Sequence, residues 1–421
     1  MRLLFLSFLA KTLHETAMGL DLADQLREAG VESCFLIDSY SVDQLREAGY
    51  PHRVVHPGAG ADLVTVVAGA IGDWRPDILV PSDFMGYWTS CHTAYRVDPW
   101  FIDAFDLPVV PLDCYDMGPG QRQVELLGRL TPIGDRIASM PRLRPVPSGR
   151  LTGALGDPAV PYRATTTLAP PSAAARDRVR RALGVSGATR LLMIPTLPWQ
   201  ETMLTRAGPA SRELAARIPE LVLHYLTRLP ATIEFLVAGP DFGAFGRLPE
   251  GRLHRRPRYG AREYLDLLGA ADAVLALSLP SFALERAVWA DVSGVAVVNG
   301  FDLADDNGVE RLHAAIGEPS PAVRSWLDAY PGPLPSYQTW PMRWNDLVRP
   351  TWNGNPFADT MAHAEILDEG SVSTALEAVL YDESVRTELA EARAGYRRAL
   401  AALPATIEAF HQVASVHGLT F

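Results

Sequence analysis

A helix start near residue 280 carries residue types that could bind a nucleotide. Ser278 ends the apolar run DAVLALS, Ser281 follows Pro280, and Glu285 lies one turn into the next helix. Ser281 is a good N-cap residue, and a helix capped in this way presents free N–H groups and a partial positive charge to a phosphate. Glu285 could accept hydrogen bonds from ribose hydroxyls. On these residues alone, an ordinary capped helix with a surface glutamate is the simpler interpretation.

A second group of polar and aromatic residues follows a strand predicted around residue 80. The segment PSDFMGYWTSCH, residues 81–92, contains Asp83, Tyr87, Trp88 and His92. These side chains could line a cleft and bind the ring of an acceptor. Alternatively, the aromatic residues belong to the core of an adjacent helix. Both interpretations stay open on the sequence.

The acidic residues and the cysteines do not form a metal-binding pattern. The segment DLADDNG, residues 302–308, is acidic but lacks the full ligand spacing of a calcium loop. Cys34, Cys91 and Cys114 are widely spaced and form neither a CxxC site nor a disulfide framework. We therefore predict no metal ion and no resident cofactor.

Composition limits the class of protein. Two domains are expected, because 421 residues and 45.9 kDa exceed the size at which one hydrophobic core keeps growing. The formal net charge is −11, and no run of Lys or Arg supplies the basic face that nucleic-acid binding needs. No stretch approaches the roughly 20 apolar residues that cross a bilayer. With only three cysteines, we expect a soluble cytoplasmic protein.

The elements that would position these residues alternate between strands and helices. In a first domain, predicted as residues 1–165, strands are expected within the runs 2–8, 33–38, 75–83 and 107–113. Helical patterns separate these runs. Such alternation is typical of a mostly parallel sheet with right-handed crossovers. The N-terminal run is therefore interpreted as a buried strand and not as a signal sequence.

A proline-rich stretch, about residues 140–175, predicts an interdomain linker. A second alternation of strands and helices follows and predicts another Rossmann-like domain at 175–360. The helical pattern at 361–421 predicts C-terminal helices that brace the domains. In doubly wound sheets, ligands bind beyond the carboxyl ends of the strands, which is where the polar segments described above are expected.

This α/β layout resembles that of GT-B glycosyltransferases, in which two Rossmann-like domains face each other across a cleft. The segment 256–300 follows the order of the donor domain in that family. By this resemblance, Arg258 and Tyr259 occupy the loop that contacts the base, Ser281 stands at the helix start that holds the diphosphate, and Glu285 binds the ribose.

The resemblance also implies a set of site residues. His14, in the first strand–helix loop, lies where natural-product members of the family carry a base, and a neutral imidazole there could take the proton from an acceptor hydroxyl. Glu15 and Asp83 complete the implied catalytic set. A solvent-facing loop histidine is the alternative for His14. The implied nucleotide-binding residues are Thr196, Arg258, Tyr259, Ser278, Ser281, Phe282 and Glu285.

What the resemblance implies is metal-independent transfer of a sugar from a nucleotide-activated donor to a small natural-product acceptor. The glycine-rich helix start of the family is replaced here by Leu279, Pro280 and Ser281. Two alternatives therefore remain open: a catalytically silent auxiliary protein with this fold, and non-glycosidic coupling on a nucleotide-linked substrate. The expected partners are the nucleotide sugar and the acceptor, with a homodimer left open and neither nucleic acid nor membrane involved.

Overall fold

The described chain consists of residues 1–56, 62–118, 122–152, 156–165, 170–185, 187–305 and 307–419 of a computed structural model. Its helices and strands up to residue 163 are β1 (Arg2–Ser7), α1 (His14–Arg27), β2 (Glu32–Asp38), α2 (Val42–Ala48), β3 (His52–Val55), α3 (Leu63–Trp74), β4 (Ile78–Pro81), α4 (Phe84–Ser90), β5 (Arg122–Leu126), β6 (Arg129–Ile133), α5 (Arg136–Ser139), β7 (Arg142–Val146) and β8 (Ala159–Arg163). Those that follow are α6 (Ala173–Leu183), β9 (Arg190–Pro195), α7 (Pro198–Arg206), α8 (Pro209–Arg228), β10 (Ile233–Ala238), β11 (Leu253–Arg256), α9 (Ala261–Ala270), β12 (Ala273–Ala276), α10 (Phe282–Ala290), β13 (Ser293–Val298), α11 (Gly308–Ile316), α12 (Pro321–Asp328), α13 (Asn345–Trp352), β14 (Ala362–Glu365), α14 (Glu369–Tyr381), α15 (Glu383–Ala401) and α16 (Thr406–Val416).

The chain divides into two compact α/β units. Unit 1 is formed by Met1–Arg122, Ile133–Thr167 and Arg398–Phe421, and unit 2 by Gln123–Pro132 and Leu168–Arg397. Most of the hairpin β5–β6 therefore groups with unit 2, although segments of unit 1 flank it in the sequence. The last helix, α16, groups with unit 1.

Unit 1 is built on a parallel sheet. Its strand order is β3-β2-β1-β4, and each neighbouring pair is parallel. Isolated parallel bridges from Leu79 to Val109 and from Leu112 to Leu143 continue the sheet toward the parallel pair β7-β8. The chain runs from β1 to β2 on one side and reaches β4 on the other side. The topological switch point, where ligands bind in sheets of this kind, therefore lies between β1 and β4.

A glycine sets the distance between α1 and this sheet. A Cβ on Gly19 would lie 2.6 Å from Ser82 Oγ and 3.1 Å from the ring of Phe35, so a larger residue would force the helix away. The strand β1, with the sequence RLLFLS, is buried over five of its six residues. The close approach of α1 places its first turn, with His14 and Glu15, near the residues that follow β4.

Unit 2 is built on a second parallel sheet, with the strand order β11-β10-β9-β12-β13-β14. The long helix α8 packs Leu214, Ile218 and Leu221 into the hydrophobic core beside this sheet. The switch point here lies between β9 and β12. The segments that follow these two strands contain Thr196 and Ser278, so two of the residues implied as nucleotide-binding stand at this edge.

Three segments differ from the sequence-based prediction. The edge strand β3 is absent from the prediction, because its residues His52 and Arg53 interrupt any apolar run. The predicted linker, about residues 140–175, contains β7 and β8. Residues 107–113 form isolated bridges and not a continuous strand.

The hairpin β5–β6 is also absent from the prediction. Its turn residues Leu127 and Gly128 have φ values of 51° and 91°, as the tightest hairpin turns require. Gly128 packs directly against Gly208. A Cβ on Gly128 would lie only 2.7 Å from the Cα of Gly208, so no larger residue fits at this position. The Leu127 carbonyl accepts a 2.9 Å hydrogen bond from the Gly208 amide. A leucine at a position with positive φ gives no local turn signal, which explains why the hairpin is not predicted.

The C-terminal helix α16 braces unit 1. Thr406 Oγ1 donates a 2.5 Å hydrogen bond to Gln25 Oε1 on α1, and the Gln25 amide donates to the carbonyls of Arg163 and Ala164. Among the described residues, no helix is both long and apolar enough to cross a membrane.

Candidate functional site

The first strand–helix loop of unit 1, Phe8 to Leu13, is fastened by two buried carboxyl groups. Glu15 Oε2 accepts a 2.7 Å hydrogen bond from the Leu9 amide, and Asp38 Oδ1 accepts a 3.2 Å bond from the Lys11 amide. Glu15 is only 1% exposed. The loop at the carboxyl end of β1 is therefore held by side chains from α1 and from the end of β2.

Asp83 stands on the other side of the switch point, directly after β4. Its carboxylate is the N-cap of α4 and accepts a 3.0 Å hydrogen bond from the Met85 amide. A Cβ on Gly86 would lie 3.3 Å from Asp83 Oδ2 and 3.3 Å from Glu15 Oε1. The fold thus brings together Glu15 and Asp83, which are 68 positions apart in the sequence.

Burial shifts the protonation equilibria of these two groups. Burial raises the pKa of Glu15 well above its ordinary value, the Leu9 hydrogen bond lowers it in part, and the neighbouring charge of Asp83 raises it further. Burial raises the pKa of Asp83 to about 6, with amide hydrogen bonds acting in the opposite direction. Burial is thus the main cause of the raised pKa in both carboxyl groups. Raised carboxyl pKa values of this kind often occur where side chains take part in proton transfer.

His14 is the first residue of α1 and is partly buried, with its Nε2 atom inside the protein. The alternative of a solvent-facing loop histidine is therefore wrong. The imidazole stands next to Glu15 in the chain, at the same carboxyl edge of the sheet.

The aromatic residues after β4 belong to the core. Tyr87 is fully buried in α4, and its hydroxyl donates to the carbonyl of Pro99. Trp88 is 4% exposed, and its ring lies 4.3 Å from that of His92. Of the two interpretations of segment 81–92, the helix core is the one observed for Tyr87 and Trp88, whereas His92 is exposed on a π-helical turn.

A buried network of ion pairs lies at the same edge of unit 1, after residues 109–112. Arg142 Nε donates to Asp113 at 2.8 Å and its Nη2 donates to Asp157 at 2.9 Å, while Arg144 pairs with Asp116 at 2.8 Å. This network is absent from the sequence-based prediction. The alternation of arginines in RLRPV, which puts both side chains on one face of a strand, was its only local signal.

In unit 2, the helix α10 begins as the sequence predicts. Ser281 is its N-cap, and the Ser281 hydroxyl accepts a 3.4 Å hydrogen bond from the Leu284 amide. Glu285 lies in the first turn and is 4% exposed, so it is not the surface glutamate of the simpler interpretation. Amides at such a helix start have no partner within the helix and can bind an anion.

Two of the implied nucleotide-binding residues use their hydroxyls within the protein. Thr196 Oγ1 donates a 2.5 Å hydrogen bond to the Pro240 carbonyl, and Ser278 Oγ donates a 3.0 Å bond to the Trp340 carbonyl. Thr196 also packs so closely on Gly239 that a Cβ there would lie 2.1 Å from the Thr196 carbonyl oxygen. Both hydroxyls thus donate to backbone carbonyls and can still accept a hydrogen bond, so their role in nucleotide binding stays a prediction.

An aromatic ladder runs beside the start of α10. The ring of Tyr259 lies 5.2 Å from that of Tyr264, which lies 6.3 Å from the ring of Phe282. The guanidinium of Arg286 stacks 4.4 Å above Phe282. Arg258 is exposed next to Tyr259. Aromatic rings in this arrangement can stack on a nucleobase, and an exposed arginine can bind a phosphate.

A covering segment, defined as residues 336–344, crosses the carboxyl ends of β12 and β13. Its backbone pairs with Ser278 and Asn299 through bridges from Thr339 and Tyr337. No cluster of three or more metal-ligating side chains occurs among the residues that the structure describes.

Comparison with known proteins gives the following matches. Residues 22–418 match the model of a family of unknown function, DUF6365. No curated protein matches the chain.

Several solved glycosyltransferases share the fold over nearly their whole length. The glycosyltransferase SnogD from Streptomyces nogalater is 16% identical, with a TM-score of 0.51 and 99% of each chain covered. HepE from Anabaena, solved in complex with UDP-glucose, is 12% identical, with a TM-score of 0.54 and 99% of each chain covered. Spinosyn rhamnosyltransferase SpnG, complexed with thymidine diphosphate, is 14% identical, with a TM-score of 0.51 and 99% of each chain covered. At identities this low, the matches show a shared fold and nothing more. The predicted resemblance to the GT-B fold is confirmed.

Proposed function

The chain belongs to the DUF6365 family and has the fold of natural-product glycosyltransferases, and from this premise we propose that it is a glycosyltransferase itself. The proposed reaction moves a sugar from a nucleotide-activated donor to a hydroxyl group of a small natural-product acceptor, without a metal ion. We place the reaction in the cytoplasm, because the three cysteines are free thiols.

One observation carries this proposal. At the switch point of unit 2, the helix α10 starts with a Ser281 cap and holds Glu285 in its first turn, beside the ladder of Tyr259, Tyr264 and Phe282. A nucleotide would bind here with its diphosphate at the start of α10, its ribose at the Glu285 carboxylate and its base on the aromatic rings. This is the order of the three parts along a nucleotide.

The proposed reaction forms one bond at the anomeric carbon of the sugar and breaks another. The acceptor oxygen attacks the anomeric carbon and forms the new C–O bond, while the bond from that carbon to the diphosphate oxygen breaks and its electron pair leaves with the diphosphate. His14 takes the acceptor proton. The partial positive charge at the start of α10 stabilises the developing charge on the diphosphate.

The test is a thermal-shift screen of the full chain against nucleoside diphosphates and nucleotide sugars, followed by a transfer assay with and without EDTA. We expect one nucleotide class to raise the melting temperature specifically, and sugar transfer that survives EDTA. Loss of transfer in EDTA, restored by a divalent ion, would contradict the metal-independent mechanism. No shift with any nucleotide would contradict the proposed function as a whole.

A catalytically silent auxiliary protein is the second candidate, and a specific observation favours it. The polar groups of Ser278 and Leu279 are satisfied by the covering segment, since the Leu279 amide donates to Gln338 at 2.8 Å and Thr339 Oγ1 donates to the Leu279 carbonyl at 2.6 Å. These positions stand in place of the glycines that the family uses to approach the diphosphate. A nucleotide-dependent shift without any transfer of sugar would support this candidate.

A further inference from the structure

A buried carboxylate of the hairpin β5–β6 is fixed on the start of α8. Glu125 lies in the part of the hairpin that belongs to unit 2, residues 123–132, and is 3% exposed. Its Oε1 atom accepts a 2.5 Å hydrogen bond from Ser211 Oγ in the first turn of α8. The close contact between Gly128 and Gly208 adds a second attachment at the same helix start. The hairpin therefore has one defined place on a long core helix.

The other carboxyl oxygen of Glu125 holds the covering segment. Its Oε2 atom accepts a 2.5 Å hydrogen bond from Arg343 Nε, and the Glu125 carbonyl accepts a 3.0 Å bond from the indole N–H of Trp344. Leu127 and Met342 pack against one small hydrophobic cluster beside α7 and α8. One carboxylate thus joins the hairpin, the start of α8 and the covering segment.

Backbone hydrogen bonds continue from Arg343 to the loop after β12. The Arg343 carbonyl accepts a 3.1 Å bond from the Gln338 amide, and the Gln338 carbonyl accepts a 2.8 Å bond from the Leu279 amide. Thr339 Oγ1 donates a 2.6 Å bond to the Leu279 carbonyl. Leu279 stands two residues before Ser281, the N-cap of α10. The covering segment therefore fixes the chain directly before the helix start at which the diphosphate is proposed to bind.

A buried ion pair is suited to fixing one arrangement of these segments. Its net contribution to stability is small, because the cost of removing both charges from water offsets their attraction, yet a misplaced partner leaves a buried charge uncompensated. The Arg343 side chain is 35% exposed, whereas that of Glu125 is 2% exposed. Without the carboxylate, the guanidinium can turn toward water, and the covering segment loses its attachment to the hairpin.

We propose that Glu125 is a positioning residue for nucleotide binding, which holds the covering segment through Arg343 and thereby fixes the loop between β12 and α10. The inference rests on the proposed function for the identity of the ligand. Glu125 acts through the segment that it holds and not by contact with the nucleotide.

The first test compares two buried carboxylates of unit 2 in the full chain. Glu125→Ala should raise the Kd of a nucleoside diphosphate about tenfold, within the range by which changes along a supporting network alter a distant site. Isothermal titration calorimetry with UDP, thymidine diphosphate, ADP and GDP measures this change. Glu234→Ala is the matched control, because Glu234 is 8% exposed, accepts from Thr189 Oγ1 at 2.8 Å and lies 2.6 Å from His254 Nε2, but at the amino end of β10. A wild-type Kd in Glu125→Ala, or an equal rise in both variants, overturns the proposal.

Two further variants separate positioning from a general loss of stability. Glu125→Gln keeps an acceptor oxygen at the same reach and should restore most of the lost affinity. Arg343→Ala should raise the Kd by the same factor as Glu125→Ala, and the double variant should raise it no further, because both changes break one link. Effects that multiply in the double variant show that Glu125 does not act through Arg343, and they overturn the proposal.

Hydrogen exchange tests the position of the loop without any ligand. In Glu125→Ala, peptides that cover residues 277–284 and 336–344 should exchange faster than in the wild type, while the core strand β13 should keep its protection. Glu234→Ala should leave the two loop peptides unchanged. Wild-type exchange of these peptides in Glu125→Ala overturns the proposal. If the wild type binds none of the four nucleotides, the proposed function fails, and the exchange rates still decide whether Glu125 fixes this loop.

Discussion

Ser278 Oγ donates a 3.0 Å hydrogen bond to the carbonyl oxygen of Trp340, and this bond ties the loop after β12 to the covering segment. Trp340 is itself fixed, because its ring is 1% exposed and its indole N–H donates to the Leu214 carbonyl at 2.8 Å. The loop that would approach a diphosphate is therefore held by the core of unit 2. The position of this loop does not require a glycine-rich sequence. This is one physical reason why Leu279, Pro280 and Ser281 can replace the glycine-rich helix start of GT-B glycosyltransferases.

Glu285 is the residue with which to test the nucleotide site. If its carboxylate accepts hydrogen bonds from the ribose, Glu285→Ala should raise the nucleotide Kd about tenfold or more, since a hydrogen bond to a charged group contributes about 1.5–3 kcal/mol. Isothermal titration calorimetry with UDP and with thymidine diphosphate measures this change. Glu263→Ala is the control, because Glu263 lies in the first turn of the neighbouring helix α9 and is exposed. Equal effects in both variants would show that Glu285 does not contact the nucleotide.

His14 is the residue with which to test the base. Removal of a general base typically lowers the rate by about 10²–10⁴-fold, so His14→Ala should lower kcat by this amount while the donor Kd stays nearly unchanged. Initial rates and calorimetry on the same preparation measure both quantities. His52→Ala is a suitable control, because His52 lies on the edge strand β3, where its Nδ1 atom is 3.0 Å from the carbonyl oxygen of Tyr50. Unchanged turnover in His14→Ala would exclude the imidazole as the base.

The parts of the fold that the sequence predicts are those that depend on local periodicity. The alternation of apolar strands with amphipathic helices predicts both parallel sheets, and Ser281 with its following apolar run predicts the start of α10. The sequence predicts only that Glu15 and Asp83 lie at the same edge of the sheet, and not that their carboxyl groups lie close together. Their raised pKa values depend on burial, which no local pattern reports.

The parts that the sequence does not predict depend on contacts between distant segments. Residues 142–163 look like a linker, because arginine and proline interrupt the pattern of apolar residues. Arg142 is nevertheless fully buried, and its guanidinium group pairs with the carboxylates of Asp113 and Asp157. The covering segment is equally irregular in sequence, and its structure depends on backbone hydrogen bonds to loops 38–63 positions away, such as that between Leu279 and Gln338. In both places the burial of polar groups is made possible by partners that are not neighbours in the chain.

The buried network around Arg142 should be essential for the stability of unit 1. Arg142→Ala would remove the guanidinium that pairs with Asp113, whereas Asp157 would keep its ion pair with Arg144. Loss of one partner of a buried ion pair typically costs about 3–5 kcal/mol. Arg53→Ala is the matched control, because Arg53 pairs with Asp73 at the surface, where side-chain exposures are 46% and 72%. Exposed pairs contribute about 1 kcal/mol or less. Urea unfolding of both variants compares the two free energies, and similar losses would show that the buried network contributes no more than a surface pair.

Glu365 should make the stability of unit 2 depend on pH. Its carboxylate accepts hydrogen bonds from the amides of Gly300 at 2.7 Å and Leu367 at 3.2 Å, yet burial raises its pKa from 4.5 to about 7. The folded state therefore binds a proton more tightly than the unfolded state does, so the free energy of unfolding should fall as the pH rises from about 4.5 to about 7. The shift corresponds to about 3 kcal/mol.

The variant Glu365→Gln removes this titration and should flatten the pH dependence. Compared with the wild type, it should gain relative stability between pH 5 and pH 8, even if its amide accepts only one of the two backbone hydrogen bonds. Urea unfolding at both pH values measures the difference. Glu377→Gln serves as the control, because Glu377 is exposed on α14 and its replacement should leave the wild-type pH dependence in place. A pH dependence in Glu365→Gln equal to that of the wild type would mean that other groups cause it, and that Glu365 ionises in the folded protein as readily as in the unfolded chain.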